Sequence, residues 1–167
     1  MVYPQEFWQI LLDADTIGVR LEMVGGIPMW EAMPGPRHQR EVDRIRSSIR
    51  RVSESATDCG CVHLTDVAVR FADDSFKRPD ISIFCREPEE QDSATRLIPE
   101  AVIEVVSPGY ESKDLTFGAP FYLSQGVKDV IIYDPRTLVV VHMRKDGTKH
   151  MFAPQTIVCE CGCELVV

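Results

Sequence analysis

The chain lacks the features that would carry it into or across a membrane. No apolar run approaches the ~18 residues of a transmembrane helix, and the N-terminus shows no leader pattern. The expectation is a cytoplasmic protein with no membrane contact. Internal repeats and low-complexity tracts are also absent, so a single domain over residues 1–167 is expected. With 44% hydrophobic residues, such a chain can bury a real core. Excess positive charge is missing as well. A formal net charge of -8 excludes a general nucleic-acid sponge, and any such binding must come from a local basic patch.

The six cysteines lack the C-x-x-C spacing of ordinary structural zinc sites. Cys59 and Cys61 form one C-x-C pair, and Cys159, Cys161 and Cys163 form a run of two; Cys85 stands alone. Without a secretory leader, reduced thiols are the default and disulfides are not expected. If residues 159–163 are a strand, its three cysteines share one face. Two readings stand. They are small apolar side chains on a buried face, or Cys59, Cys61, Cys159, Cys161 and Cys163 build a zinc or redox site. The spacing does not choose between them.

Hydrophobic periodicity places the elements. Phe7, Ile10 and Leu11 fall at helical spacing after Pro4, which suits a first helical turn. "GVRLEMVGGIPMWE" reads as an N-terminal hairpin across Gly25-Gly26, with Pro28 weakening its second strand. "RHQREVDRIRSSIRRVSESA" predicts a helix whose Val42, Ile45, Ile49 and Val52 form one stripe. Residues 36–52 carry six arginines against two acids. That is either a solvated face or a phosphate-facing surface, with Arg37, Arg40 and Arg44 as the nucleic-acid contacts.

Downstream, "CVHLTDVAVRF", "DISIFC", "EAVIEVV" and "VKDVIIYD" predict strands, and "REPEEQDSATR" a charged loop. "LVVVHMRK" and "TKHMFAP" predict a hairpin across Asp146-Gly147, and the cysteine-rich tail a last strand. "LTFGAPFYLSQG" carries a late helix. Gly118 and Pro120 suit a helix beginning near Ala119, with residues 109–118 a loop before it. The order predicts a mixed α+β fold: a central mixed sheet flanked by helices.

Two acids stand out by position. Asp80 opens one apolar strand and Glu104 lies within the next, where an ionised carboxylate is costly unless paired or metal-bound. Side by side, they would make a hard-oxygen site suited to Mg²⁺ or Mn²⁺. The alternative is that Asp80 caps a turn and Glu104 pairs with an arginine.

"RPDISIFC", "PEAVIEVVSPG" and "KDLTFGAPFYLSQGVKDVIIYDP" resemble the Uma2 family, restriction-endonuclease-like proteins of the PD-(D/E)XK nuclease superfamily. The matching residues are Pro79-Asp80, Glu104 to Pro108, Asp114, Tyr122, Gly126-Val127 and Asp134-Pro135. Upstream, "RLEMVGG" is similar to the family's hairpin, with Glu22 as its glutamate, and "PGPRHQREVDRI" to its helix start, with His38 as its histidine. The resemblance implies a restriction-endonuclease-like PD-(D/E)XK core and a Mg²⁺-dependent DNA endonuclease. Asp80, Glu104 and the Val105 carbonyl would be metal ligands, with Glu22 and His38 near the same cleft.

The pattern breaks at its lysine. The superfamily's usual position is Val106 here, and the family's own position on the following helix is Gly118. Lys113, in the preceding segment, is the candidate substitute catalytic residue. The competing classes are a non-catalytic nucleic-acid-binding or interaction module that keeps the nuclease fold, and a cysteine-based metal protein. A homodimer would suit cleavage of both strands; nothing in the sequence requires one.

Overall fold

The computed structural model describes residues 9–11, 13–32, 34–52, 58–89, 93–109 and 113–167. Val19–Val24 (β1) and Ile27–Ala32 (β2) form the predicted hairpin. Gly25 and Gly26 both sit at positive φ in its two-residue turn, a conformation glycine adopts without steric cost. Arg50–Arg51 (β3) is a short strand, and Val62–Thr65 (β4) and Val69–Arg70 (β5) follow. Phe76–Lys77 (β6) pairs with β5 and β1, which completes a four-stranded sheet in the order β2-β1-β6-β5.

The central sheet has six strands. Ile81–Phe84 (β7), Ala101–Val105 (β8), Asp129–Asp134 (β9), Val139–Arg144 (β10) and Gly147–Phe152 (β11) join β4 in the order β11-β10-β9-β8-β7-β4. β8 and β9 run parallel and the other neighbours antiparallel, so the sheet is mixed. Thr156–Val158 (β12) and Cys163–Val166 (β13) make a third small sheet with β3.

Period-two alternation divides β8 between two cores. Ala101, Ile103 and Val105 pack with Ile81, Ile83 and Ile131 against Val42 and Ile45 of the helix Pro36–Ser48 (α1). Val102 and Val106 pack with Val130 and Ile132 against Phe121 and Tyr122 of the helix Ala119–Ser124 (α2). Helices therefore cover both faces. Glu104, between Val102 and Val106, belongs to the α2 face.

Several expectations are corrected. Helix α1 ends at Ser48, and Ile49 is its extended cap. Arg50 and Arg51 leave the helix because they pair with Glu164 and Cys163 of β13. Val52 thus lies outside the helix, bonded through its N–H to the Gly162 carbonyl. Residues 53–57, Pro4 and Phe7 lie outside the described residues, and Ile10 is exposed although Leu11 is buried. "CVHLTDVAVRF" is two strands, broken at Asp66, whose φ is positive. Residues 113–118 form a π-helical turn ahead of α2, where a loop was expected, but α2 begins at Ala119 with Pro120 in its first turn. The β10–β11 turn is Lys145-Asp146, one residue earlier than expected.

The cysteines differ most from expectation. Residues 159–162 form a turn rather than a strand, closed by Cys159 N–H to the Cys163 carbonyl and Gly162 N–H to the Cys159 carbonyl. Cys59 is bonded to Cys85 and Cys61 to Cys163 as disulfides, against the expected reduced thiols, while Cys159 and Cys161 are free and buried. Register alone does not choose these pairs. Val62 opposite Phe84 sets Cys61 beside Cys85 at the strand ends, yet Cys85 is bonded to Cys59, two residues further along, and Cys61 to Cys163 on β13. No helix among the described residues is long and apolar enough to cross a membrane.

One buried acid ties the far end of the sheet to the C-terminal hairpin. Asp129 accepts from His142 Nε2 at 2.7 Å, from Arg144 Nε, and from Glu160 N–H at 2.7 Å. Burial opposes its ionisation, but these donors outweigh burial and hold the carboxyl below its ordinary 3.8. A depressed folded pKa stabilises the fold above the unfolded value, and that stability is lost as pH falls through the folded pKa. Asp129→Asn is therefore expected to lower the unfolding free energy by about 3 kcal/mol at pH 7. The gap to wild type should narrow below about pH 4. Urea denaturation at both pH values checks this, and an unchanged midpoint at neutral pH contradicts it.

Candidate active site

The central observation is a reciprocal bond between neighbouring strands. Ile81 pairs with Ile103 across β7 and β8, so Asp80 stands beside Glu104. Asp80 N–H donates to Glu104 Oε2 at 3.2 Å, and Val105 N–H donates to Asp80 Oδ2 at 2.8 Å. Both carboxylates are buried. Pro79 keeps the approach to β7 extended and lacks an N–H, so Asp80 carries the first free donor of this strand.

Each helix adds one residue to the pair. From α1, His38 Nε2 lies 3.0 Å from Asp80 Oδ2. From α2, the Tyr122 hydroxyl donates to Glu104 Oε1 at 2.6 Å. Burial disfavours a charged His38 ring, but the hydrogen bond and charge of Asp80 outweigh burial and raise its pKa above the ordinary imidazole value. Arg20 opposes that shift, and the main chain at Val105 adds to it. His38 Nδ1 is buried with no partner among the described residues.

The hairpin sheet contributes a second charged pair. Alternation on β1 buries both Arg20 and Glu22. Lys77 Nζ, on β6, lies 3.2 Å from Glu22 Oε2 and 4.9 Å from the centre of the Tyr122 ring. Lys77 is only 1% exposed, which is rare for a lysine and requires such a partner. Glu22 Oε1 also accepts Arg78 N–H at 3.0 Å. Arg20 reaches Asp80 Oδ1 at 3.5 Å and bonds the Arg78 carbonyl and Asp66. Three buried carboxylates thus surround two buried cations.

The structure brings Glu22, His38, Asp80 and Glu104 into one cluster. Val105 joins it through its main chain. The side chain of Lys113 lies outside the described residues. Arg37 and Arg40 are exposed on α1, near His38 in sequence. Arg44 is turned away, pairing with Glu41 at 2.8 Å and lying 5.7 Å from the centre of the Tyr133 ring.

Sequence reasoning missed Lys77 and Arg20. The signal for Lys77 was faint: a lysine three residues before Asp80, beside an apolar Phe76. What makes it conspicuous is Tyr122. Residues 118 and 122 are one helical turn apart, so a lysine at 118 would stand beside Tyr122. Gly118 has no side chain, and the ammonium over the Tyr122 ring is that of Lys77.

A family model described as "Putative restriction endonuclease" (Uma2) matches residues 4–158. The chain belongs to the Uma2 family. The motifs from Glu22 to Asp134 lie within that match, which bears out the resemblance read from the sequence. Among solved structures, one of "a putative nuclease belonging to DUF820" from Anabaena variabilis is similar, at 22% identity and a TM-score of 0.61. The match covers 83% of this chain and 80% of that one. The fold is therefore restriction-endonuclease-like. No curated protein matches the chain.

The Tyr122–Glu104 bond is a charge-assisted one, so Tyr122→Phe removes a donor from a buried carboxylate. We expect a loss of about 1.5–3 kcal/mol in unfolding free energy, read by chemical denaturation. A variant as stable as wild type would mean that Glu104 finds another donor.

Proposed function

We propose that the chain is a metal-dependent DNA endonuclease in which Asp80 and Glu104 hold a Mg²⁺ or Mn²⁺ ion and Lys77 serves where the family uses a helix lysine. The observation that carries this reading is the Asp80–Glu104 pair, two buried carboxylates from adjacent strands within one hydrogen-bonded cluster. The donor set fits the ion. Mg²⁺ keeps several waters and takes one or two protein carboxylates plus substrate oxygens. Asp80, Glu104 and the Val105 carbonyl are hard-oxygen donors of that kind.

When bound, such an ion supplies polarisation of a phosphoryl oxygen and a lowered pKa for an attacking water. The chain's own residues do the rest. Lys77 offers a fixed positive charge for the negative charge that builds on the phosphate oxygens. Glu22 holds the Lys77 head, and the Tyr122 ring sets its depth. Tyr122 and His38 orient Glu104 and Asp80. Arg37 and Arg40, exposed on α1, would take backbone phosphates and orient the strand without reading its sequence; Arg44, engaged with Glu41 and Tyr133, would contribute less.

A second reading has one observation in its favour. Lys77 already pairs with Glu22 inside the protein, as a non-cutting DNA-binding relative would keep it.

Plasmid nicking separates the two. The enzyme reading expects nicking with Mg²⁺ or Mn²⁺ that chelation stops and that Asp80→Ala and Glu104→Ala abolish. Lys77→Ala should slow it by about 10²–10³, with partial recovery in Lys77→Arg. Thermal unfolding of each variant reports folding separately. Normal cutting by Lys77→Ala together with loss in Lys113→Ala would transfer the role to Lys113. Salt-sensitive DNA binding without nicking would establish the non-cutting reading instead.

A further inference from the structure

All six cysteines of the chain meet at one place, at the far end of β7 from Asp80. They come from three segments: residues 59–61 ahead of β4, Cys85 just after β7, and residues 159–163, which make the turn after β12 and the first residue of β13. Two disulfides join four of them. The cluster extends beyond those bonds. Cys163 Sγ lies 3.7 Å from Cys59 Sγ, although the two are not bonded to each other. The sulfurs of Cys59, Cys161 and Cys163 all lie within 4.8 Å of one another. The Cys159 and Cys161 thiols share a hydrogen bond. Among the described residues, this is the only trio of potential ligand atoms gathered so closely.

The backbone is shaped around these sulfurs. Cys61 adopts a positive φ of 49°, uncommon for a side chain of its kind. Gly60 N–H donates to the Cys85 carbonyl at 2.9 Å, and a Cβ at Gly60 would come within 3.1 Å of that oxygen. Gly162 turns the chain at φ 85°. Asp129 grips the same turn through Glu160 N–H, and Arg144 bonds the Val158 carbonyl at 2.7 Å. Small apolar filler would need none of this. A tetrahedral zinc with Zn–S bonds of about 2.3 Å sets its sulfurs about 3.8 Å apart, close to the Cys59–Cys163 separation.

We propose that this cluster is a thiolate site for zinc(II), filled when the two disulfides are reduced. Cys59, Cys161 and Cys163 supply three ligands and either Cys61 or Cys85 the fourth. Each disulfide takes two electrons and two protons from a dithiol reductant, which leaves as its own disulfide. Zinc then displaces the protons of its four thiols into solvent. The two remaining cysteines stay thiols. The two S–S bonds tie residues 59–61 to Cys85 and to Cys163; the metal ties residues 59–61 to the 159–163 segment, and to Cys85 as well when Cys85 is the fourth ligand. This site is separate from the carboxylate cluster and does not depend on the nuclease reading.

The test uses the full-length chain, reduced with a dithiol, desalted without air, and titrated with cobalt(II) and then zinc(II). The expected result is one cobalt per chain with the visible absorption of a tetrahedral tetrathiolate site. Zinc should displace it one for one, and four of the six thiols should resist a thiol reagent until a chelator is added. Absence of the cobalt spectrum, or six freely reacting thiols in the presence of zinc, overturns the proposal. So do disulfides that persist through reduction of the folded protein. Cys161→Ser keeps both disulfides, so its oxidised form should fold as wild type does. Its reduced form should fail to retain metal through gel filtration; retention equal to wild type removes Cys161 from the ligand set and overturns the site as drawn.

Discussion

Asp80 and Glu104 are each tolerable only because of the other's strand. A carboxylate buried alone would cost several kcal/mol. Here the amide beside each acid serves its neighbour: Asp80 N–H bonds Glu104, and Val105 N–H bonds Asp80. This exchange requires the antiparallel register of β7 and β8, because a slip of one residue would turn every side chain to the opposite face. It also explains how the two helices are tied to the sheet by more than apolar packing. His38 locks α1 to Asp80 on one face, and Tyr122 locks α2 to Glu104 on the other.

The smaller hairpin sheet enters through electrostatics. Lys77 and Arg20 would be as costly as the acids if buried without partners. Glu22 and Asp80 offset that cost, and the Tyr122 ring receives the lysine head on its face. The result is a charged interior shared by five elements, at the N-terminal end of β7. The opposite end of that strand carries the sulfur cluster, so one short strand of the central sheet joins a hard-oxygen centre to a soft-sulfur one.

Much of this was legible in the sequence. Apolar alternation around Glu104, Pro79 before Asp80 and paired glycines in the hairpin all reflect local rules that do not need a partner. So did the start of α2, because Pro120 can stand only in a first helical turn. The end of α1 was not legible. Ile49 and Val52 continue a helical stripe, and only the competing strand pairing of Arg50 and Arg51 with β13, more than a hundred residues downstream, stops it. Lys77 was hidden for a similar reason. Its neighbour Glu22 is far away in sequence, and the lysine position that sequence comparison inspects is the empty one at Gly118.

The sequence by itself determined the family, the strand and helix types, and the two acids whose burial had to be compensated, because each follows from short-range pattern and spacing. Only the tertiary structure decided which cation stands beside Tyr122, where α1 stops, and that six cysteines from three separate segments converge. Those outcomes depend on long-range register and on the desolvation of charges brought together from distant parts of the chain, and neither is encoded in any window of neighbouring residues.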